Sequence, residues 1–145
     1  MLIYLAHPVD LAQNYQGHDV VLWLRSNLAD LGPTFDPSEA WSVRSNMTPT
    51  AELQEANLNV LSCCDVLVAY LPDGVPTIGT VLEVMEFTRG IAGKPVILVV
   101  GSGTIKRSWA LAYFVQNTRN ARLVDEERLI DEWEDIKAWL SDSHD

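Results

Sequence analysis

The chain predicts a three-layer α/β sandwich built on a five-stranded parallel sheet in the order 2-1-3-4-5. Three observations carry that expectation. Short apolar runs alternate with stretches of helical spacing from one end of the chain to the other. The runs are continuous rather than alternating with polar residues, as expected of strands covered on both faces. With 145 residues, 48% hydrophobic and 21% charged, the chain suits one domain, residues 1–145, around one core.

The elements follow in order. Leu2–Ala6 is the first strand, stopped by His7-Pro8. Residues 16–31 form a helix with Val20, Val21, Leu24, Leu28 and Leu31 on one side and Gly32 as its stop. Thr34-Phe35-Asp36-Pro37 is a short second strand ended by proline. Thr48-Pro49 opens a helix, an N-cap followed by proline, that carries Leu53, Ala56, Val60 and Leu61 inward. Asp65–Leu71 and Pro95–Val100 are the third and fourth strands, with a helix from Gly79 to about Ala92 between them. Residues 105–117 form another helix, Ala121–Val124 the fifth strand, and residues 126–140 a last amphipathic helix. Leu129, Ile130, Trp133, Ile136 and Leu140 line the inner side of that last helix.

Alternating strands and helices with right-handed crossovers give a flavodoxin-like, Rossmann-like arrangement. Ligands of such sheets bind beyond the carboxyl ends of strands one and three. His7–Asp10, Asp36–Trp41 and Leu71–Thr80 are therefore expected to build the site, with Gly101–Thr104 at its rim.

Composition narrows the partners. Twenty Asp and Glu against ten Lys and Arg give a net charge of -10, concentrated in the last 21 residues. A nucleic-acid polymer is disfavoured, since phosphate binding needs a basic footprint, and so is an anionic membrane. The longest apolar runs, Val66–Leu71 and Pro95–Val100, are too short to span a bilayer. The first residues lack the basic start of a signal peptide. The only cysteines, Cys63 and Cys64, are neighbours that cannot staple a fold and read as small core residues at a helix end. The expectation is a cytoplasmic protein.

The chemistry concentrates between Asp65 and Glu83. A buried strand runs into a Pro-Asp-Gly loop, Gly79-Thr80 opens a helix, and Glu83 lies one turn in, its carboxylate aimed back at the crevice. Two readings stand. Thr80-x-x-Glu83 is also a capping box, in which the glutamate only satisfies a helix terminus.

Ile3-Tyr4-Leu5-Ala6-x-Pro8, Asp65 at the start of strand three, and Gly79-Thr80-x-x-Glu83, in that order, resemble the nucleoside 2-deoxyribosyltransferase family. The resemblance spans roughly residues 1–100, and a Ser108-Trp109 pair further on is similar too. It implies that Glu83 attacks C1′ of a nucleoside and displaces the base, forming a glycosyl-enzyme that a second base or water resolves. A carboxylate suits an oxocarbenium-like transition state. Tyr4 would hold the Glu83 rotamer, or else be core with its hydroxyl reaching solvent at the strand end. The resemblance further implies a homo-oligomer with shared sites, a nucleoside or nucleotide and a free base as partners, and no cofactor.

The sequence departs from the family where an acid is needed to protonate the leaving base. Asn57 and Thr77 stand where acidic residues are usual. Asp73, at the end of strand three, and Asp10 and Asp36 on neighbouring loops are the substitutes, although Asp73-Gly74 is equally an ordinary turn pair. These departures keep open a nucleoside 5′-monophosphate N-glycosidase and a non-catalytic nucleotide-binding module.

The remaining candidates are weighed against plainer roles. His7 faces the crevice where the family commonly has glycine; with no second His or Cys near, it is read as a substrate contact and not a metal ligand. Trp41 offers a stacking wall for a base, or is core. Gly79, which opens the helix with Thr80, is a further candidate substrate-binding residue. Gly101-Ser102-Gly103-Thr104 with Lys106-Arg107 lacks P-loop spacing and is read as a strand-to-helix turn, with a 5′-phosphate contact as the alternative. Asp65 is structural, at the wrong edge for the crevice, and Glu86 pairs with Arg89. His18 and His144 are read as surface residues.

Overall fold

A computed structural model describes residues 1–8, 17–40, 51–90 and 93–144. The strands are β1 (Ile3–Ala6), β2 (Thr34–Phe35), β3 (Val66–Leu71), β4 (Val96–Val100) and β5 (Ala121–Asp125). They form one parallel sheet in the order β2-β1-β3-β4-β5, as the alternation predicts. All residues of β1, β3 and β4 are buried, which is why their sequences read as unbroken apolar runs.

Helices cover both faces. Ile3, Leu5, Val68 and Ile97 pack with Val21, Leu24 and Leu28 of α1 (His18–Leu28) and with Trp133, Ile136 and Leu140 of α7 (Trp133–His144). Tyr4, Ala6, Leu67 and Leu98 pack on the other face with Leu61 of α3 (Ala51–Cys63), with Val84 and Phe87 of α4 (Ile78–Gly90) and with Leu111 and Phe114 of α6 (Trp109–Asn117). Asp65 ties the two central strands at their amino ends: its carboxylate accepts from the Leu2 N–H at 2.7 Å. The i,i+3 pair Glu86–Arg89 is present at 3.7 Å.

Several element boundaries differ from expectation, each for a local reason. The helix expected over 16–31 runs only His18–Leu28. Gly17, at φ 104°, forms its cap, and a Cβ there would strike the Tyr70 hydroxyl. Gly32 does not end that helix; it lets the chain pass Met1, whose carbonyl oxygen a Cβ would meet at 2.1 Å. The helix expected over 105–117 is split into α5 (Ser102–Ile105) and α6, because the Ser108 hydroxyl caps α6 by accepting from the Leu111 N–H at 3.2 Å. The last helix is likewise two pieces. A 3-10 turn at Glu126–Arg128, capped by Asp125, precedes α7, and Ile130 between them is 69% exposed rather than inward.

Further corrections concern single side chains. Cys63 is exposed and only Cys64 is core. Leu53, Ala56 and Val60 are half-buried, and Asn57 and Leu61 are the buried positions of α3. His18 is half-buried. The expected helix start at Thr48-Pro49 lies outside the described residues, as do Asp10 and Trp41. Among the described residues, no helix is long and apolar enough to cross a membrane.

Candidate active site

Glu83 is decided by where α4 begins. The helix starts at Ile78, so Thr80 is its third residue and not its cap, and the Val81 N–H bonds to the Thr77 carbonyl at 2.9 Å. The capping-box reading therefore fails. Glu83 lies in the second turn, on the stripe shared by Thr80 and Phe87, and that stripe faces the sheet. A carboxylate with only 5% of its residue exposed is a costly thing to place there for packing alone.

Tyr4, fully buried, approaches Glu83 from the middle of β1. Burial raises its pKa first, and the Glu83 charge and hydrogen bonding to Glu83 add to the shift, so the phenol stays protonated and can donate. The contact is poised rather than tight. Tyr4 Oη and Thr80 Oγ1 are both buried and close no hydrogen bond of ordinary length. The alternative in which the tyrosine hydroxyl reaches solvent does not hold. Phe35 stacks beside Tyr4, ring centroids 5.4 Å apart. Asn57, 5% exposed, is buried on α3, which packs beside α4 on the same face of the sheet.

A second cluster stands at the carboxyl ends of β1 and β2. His7 Nε2 lies 2.8 Å from Asp36 Oδ1, and Arg25 Nη2 of α1 lies 2.6 Å from Asp36 Oδ2. The Ser38 N–H and hydroxyl also donate to Asp36, at 2.9 and 2.7 Å. Burial alone would raise the Asp36 carboxyl; the bonds from His7, Arg25 and Ser38 outweigh it and hold the carboxyl far below the usual carboxylate range.

Asp73 sits elsewhere. Its carboxylate accepts from the Thr104 hydroxyl at 2.6 Å and from the Gly103 and Thr104 N–H groups at 2.9 and 2.8 Å. These bonds lower its pKa, the Thr104 hydroxyl foremost. A carboxyl held ionised is a poor proton donor, so the geometry is that of a tie between the β3–α4 loop and α5. It also explains the glycines: a Cβ on Gly101 would lie 2.5 Å from Asp73. The N–H groups of Gly101, Gly103 and Thr104 are thus already used, which favours the plain strand-to-helix turn over a phosphate cradle.

Thr77 and Gly79 are half-buried at the start of α4. Thr77 also lines a groove of about 620 Å³ between α4 and α6, with Val81, Met85, Leu111 and Phe114. None of the described residues that line the groove is titratable. Among the described residues, no cluster of His, Cys, Asp and Glu has the makings of a metal site. The residue of these clusters that the sequence reading missed is Arg25. Nothing in the spacing of Arg25 announces it, since the α1–β2 packing alone brings it to Asp36.

No protein-family model matches the chain, and no curated protein sequence matches it. Solved structures do. The CMP N-glycosidase BcmB of Clostridium botulinum superposes with a TM-score of 0.62 at 16% identity, covering 97% of this chain and 100% of that one. A 2-deoxyribosyltransferase of Bacillus psychrosaccharolyticus superposes with a TM-score of 0.59 at 21% identity, covering 89% and 90%. The chain shares their fold.

Proposed function

We propose that this protein breaks N-glycosidic bonds of nucleosides or nucleotides through a covalent glycosyl–Glu83 intermediate. The observation that carries the reading is a buried carboxylate on α4 facing a buried, protonated tyrosine at the crevice of a parallel sheet. Such a carboxylate has two uses in this chemistry: its charge stabilises the oxocarbenium-like transition state, and its oxygen then bonds to C1′. Tyr4 orients it. Thr80, Asn57, Thr77 and Gly79 are read as the sugar contacts and His7 and Asp36 as base contacts; Asp10 and Trp41, the other candidates, lie outside the described residues. The two enzymes that share the fold, a CMP N-glycosidase and a 2-deoxyribosyltransferase, support the same bond as the target.

Incubation with a panel of nucleosides and 5′-monophosphates, with and without an acceptor base, tests the reading by chromatography of the released base. Glu83→Gln is expected to lose about 10³-fold or more of the release rate, the scale of a lost covalent nucleophile. Full turnover by that variant refutes the assignment. A new nucleoside formed with acceptor marks transfer; free sugar marks hydrolysis. A 5′-monophosphate N-glycosidase is the second reading, and turnover that requires the 5′-phosphate selects it. Stabilisation by nucleosides without base release from any of them would instead select a binding module, with Asn57 and Thr77 as the marks of a lost catalyst.

The same resemblance implies self-association. Exposed apolar side chains on α4 and α6 supply the face that a second copy would cover.

A further inference from the structure

Thr80 carries a buried hydroxyl to which the protein itself gives no use. The residue is 2% exposed, and its Oγ1 has no hydrogen-bond partner among the described residues. A threonine inside a helix ordinarily turns its hydroxyl back to a carbonyl three or four residues earlier. Thr88 of the same helix does so, donating to the Val84 carbonyl at 3.0 Å and to the Met85 carbonyl at 3.1 Å. Thr80 makes no such bond. A buried hydroxyl in that state is costly unless a ligand completes it. We propose that Thr80 Oγ1 binds the 2′-hydroxyl of the substrate sugar, so that the site takes ribonucleosides or ribonucleotides in preference to their 2′-deoxy forms. This assignment rests on the glycosyl-transfer reading above and settles on the sugar which that reading leaves open.

The place of Thr80 relative to Glu83 selects the hydroxyl it meets. The two residues are three apart on α4, both buried on the stripe that faces the sheet. Side chains so spaced are neighbours, about 5–6 Å apart at Cβ. Helical side chains lean towards the amino end of their helix, so the Glu83 carboxylate reaches back over the turn that holds Thr80. Tyr4 faces the same carboxylate from β1. A carboxylate that displaces a base in line attacks C1′ from the face of the sugar opposite the base. On a β-nucleoside that face carries the 2′- and 3′-hydroxyls, while the 5′-carbon lies on the other face with the base. The 2′-hydroxyl is one carbon from the reacting centre and the 3′-hydroxyl two, so a group beside the attacking oxygen meets the 2′-hydroxyl first. Thr80 Oγ1 can both donate to it and accept from it. Bonds to this hydroxyl strengthen as the sugar becomes oxocarbenium-like, so the contact contributes to rate more than to ground-state binding. A 2′-deoxy sugar sets a C–H against Oγ1 and leaves it buried and unpaired, the mismatch by which a site rejects an analogue that lacks a hydroxyl.

Base release is measured as kcat and KM on matched pairs, adenosine with 2′-deoxyadenosine and cytidine with 2′-deoxycytidine, and on the corresponding 5′-monophosphates. Wild type is expected to favour the ribo member by about 10-fold or more in kcat/KM, although a 2′-hydroxyl by itself slows departure of the base. Thr80→Val keeps the shape and removes the hydroxyl. It is expected to slow the ribo member about 10-fold or more, chiefly in kcat, and the deoxy member only a few-fold. Thr80→Ser keeps a hydroxyl and should keep the ribo preference, which separates the loss of the bond from any general damage to α4. A wild type that favours the deoxy member overturns the proposal while the Glu83 assignment stands. So does a valine variant that slows both members equally or neither, or a serine variant that loses the preference. Release of base from no member of the panel overturns the glycosyl reading and the proposal with it.

Discussion

At the scale of single residues, the site combines groups that stability alone would not choose. Tyr4 Oη and Thr80 Oγ1 are buried without a closed bond, and a buried polar group in that state costs on the order of 1–3 kcal/mol. Tyr4→Phe removes one such group at nearly constant volume. Its expected outcome is a melting temperature unchanged or raised, together with base release slowed about 10-fold or more, since no phenol then faces the Glu83 carboxylate. Calorimetry and the release assay on the same preparation check both halves. Asp36 is the opposite case, with every charge answered. Its folded pKa lies below its unfolded value, so its contribution to stability is complete above the ordinary carboxylate pKa near 4 and is lost as pH falls through the lowered folded value. Asp36→Asn leaves Arg25 without its buried partner and should cost about 3 kcal/mol at neutral pH. Its stability should also fall less steeply than wild type below pH about 4, by denaturant titration across the acid range. Glu83 and Tyr4 were singled out by the resemblance; local pattern alone, a glutamate after Gly79-Thr80 and a phenol in an apolar strand, left a cap and a core residue open as readings. Arg25 was not singled out. Its contact with Asp36 exists only once α1 and β2 pack, and no local pattern encodes that approach.

Among the elements, legibility tracks burial. β1, β3 and β4 are covered on both sides, so solvent imposes no alternation and their sequences are nearly pure apolar runs. Helix ends are settled by single caps, and these were misread wherever apolar spacing continued across a break. Ser108 shows why. Leu111 and Phe114 continue the spacing on from Ile105, yet one hydroxyl bond at 3.2 Å starts a new helix between them. Ser108→Ala should therefore cost about 1 kcal/mol in thermal stability, and Ser108→Asp, which keeps an acceptor, should recover most of it. The β3–α4 loop behaves in the same way. Asp73-Gly74 reads as a turn pair or as an acid, and the choice between them depends on Gly103 and Thr104, some thirty residues away. The same contact bears on α4, because a loop tied at Asp73 fixes where the helix begins, and hence which side of it carries Glu83.

For the whole molecule, the five-strand order follows from the alternation of elements alone, and charge decides what the finished surface meets. The chain carries a net charge of -10, yet α6 contains no charged residue, and its Trp109 and Tyr113 are 90% and 70% exposed. Across the groove, α4 exposes Ile78, Leu82 and Met85 at 76%, 49% and 52%. A contiguous apolar face of this kind marks an interaction surface. Its charges on α4, Glu86 and Arg89, pair with each other, so two acidic copies can approach there with little repulsion, and a second copy is the partner it suits. Self-association should then survive high salt, because it rests on apolar burial rather than ion pairs. Sedimentation equilibrium at micromolar concentration is expected to give a dimer or larger assembly for wild type and a monomer for the double variant Met85→Glu, Trp109→Glu. Both side chains are exposed in the single chain, so the substitutions should leave the monomer's own melting transition within about 0.5 kcal/mol. A monomeric wild type, or an assembly that ignores both glutamates, would show that this face is not the contact. If base release falls along with the assembly while Glu83 and Tyr4 are untouched, the crevice depends on the neighbouring copy for its finished shape.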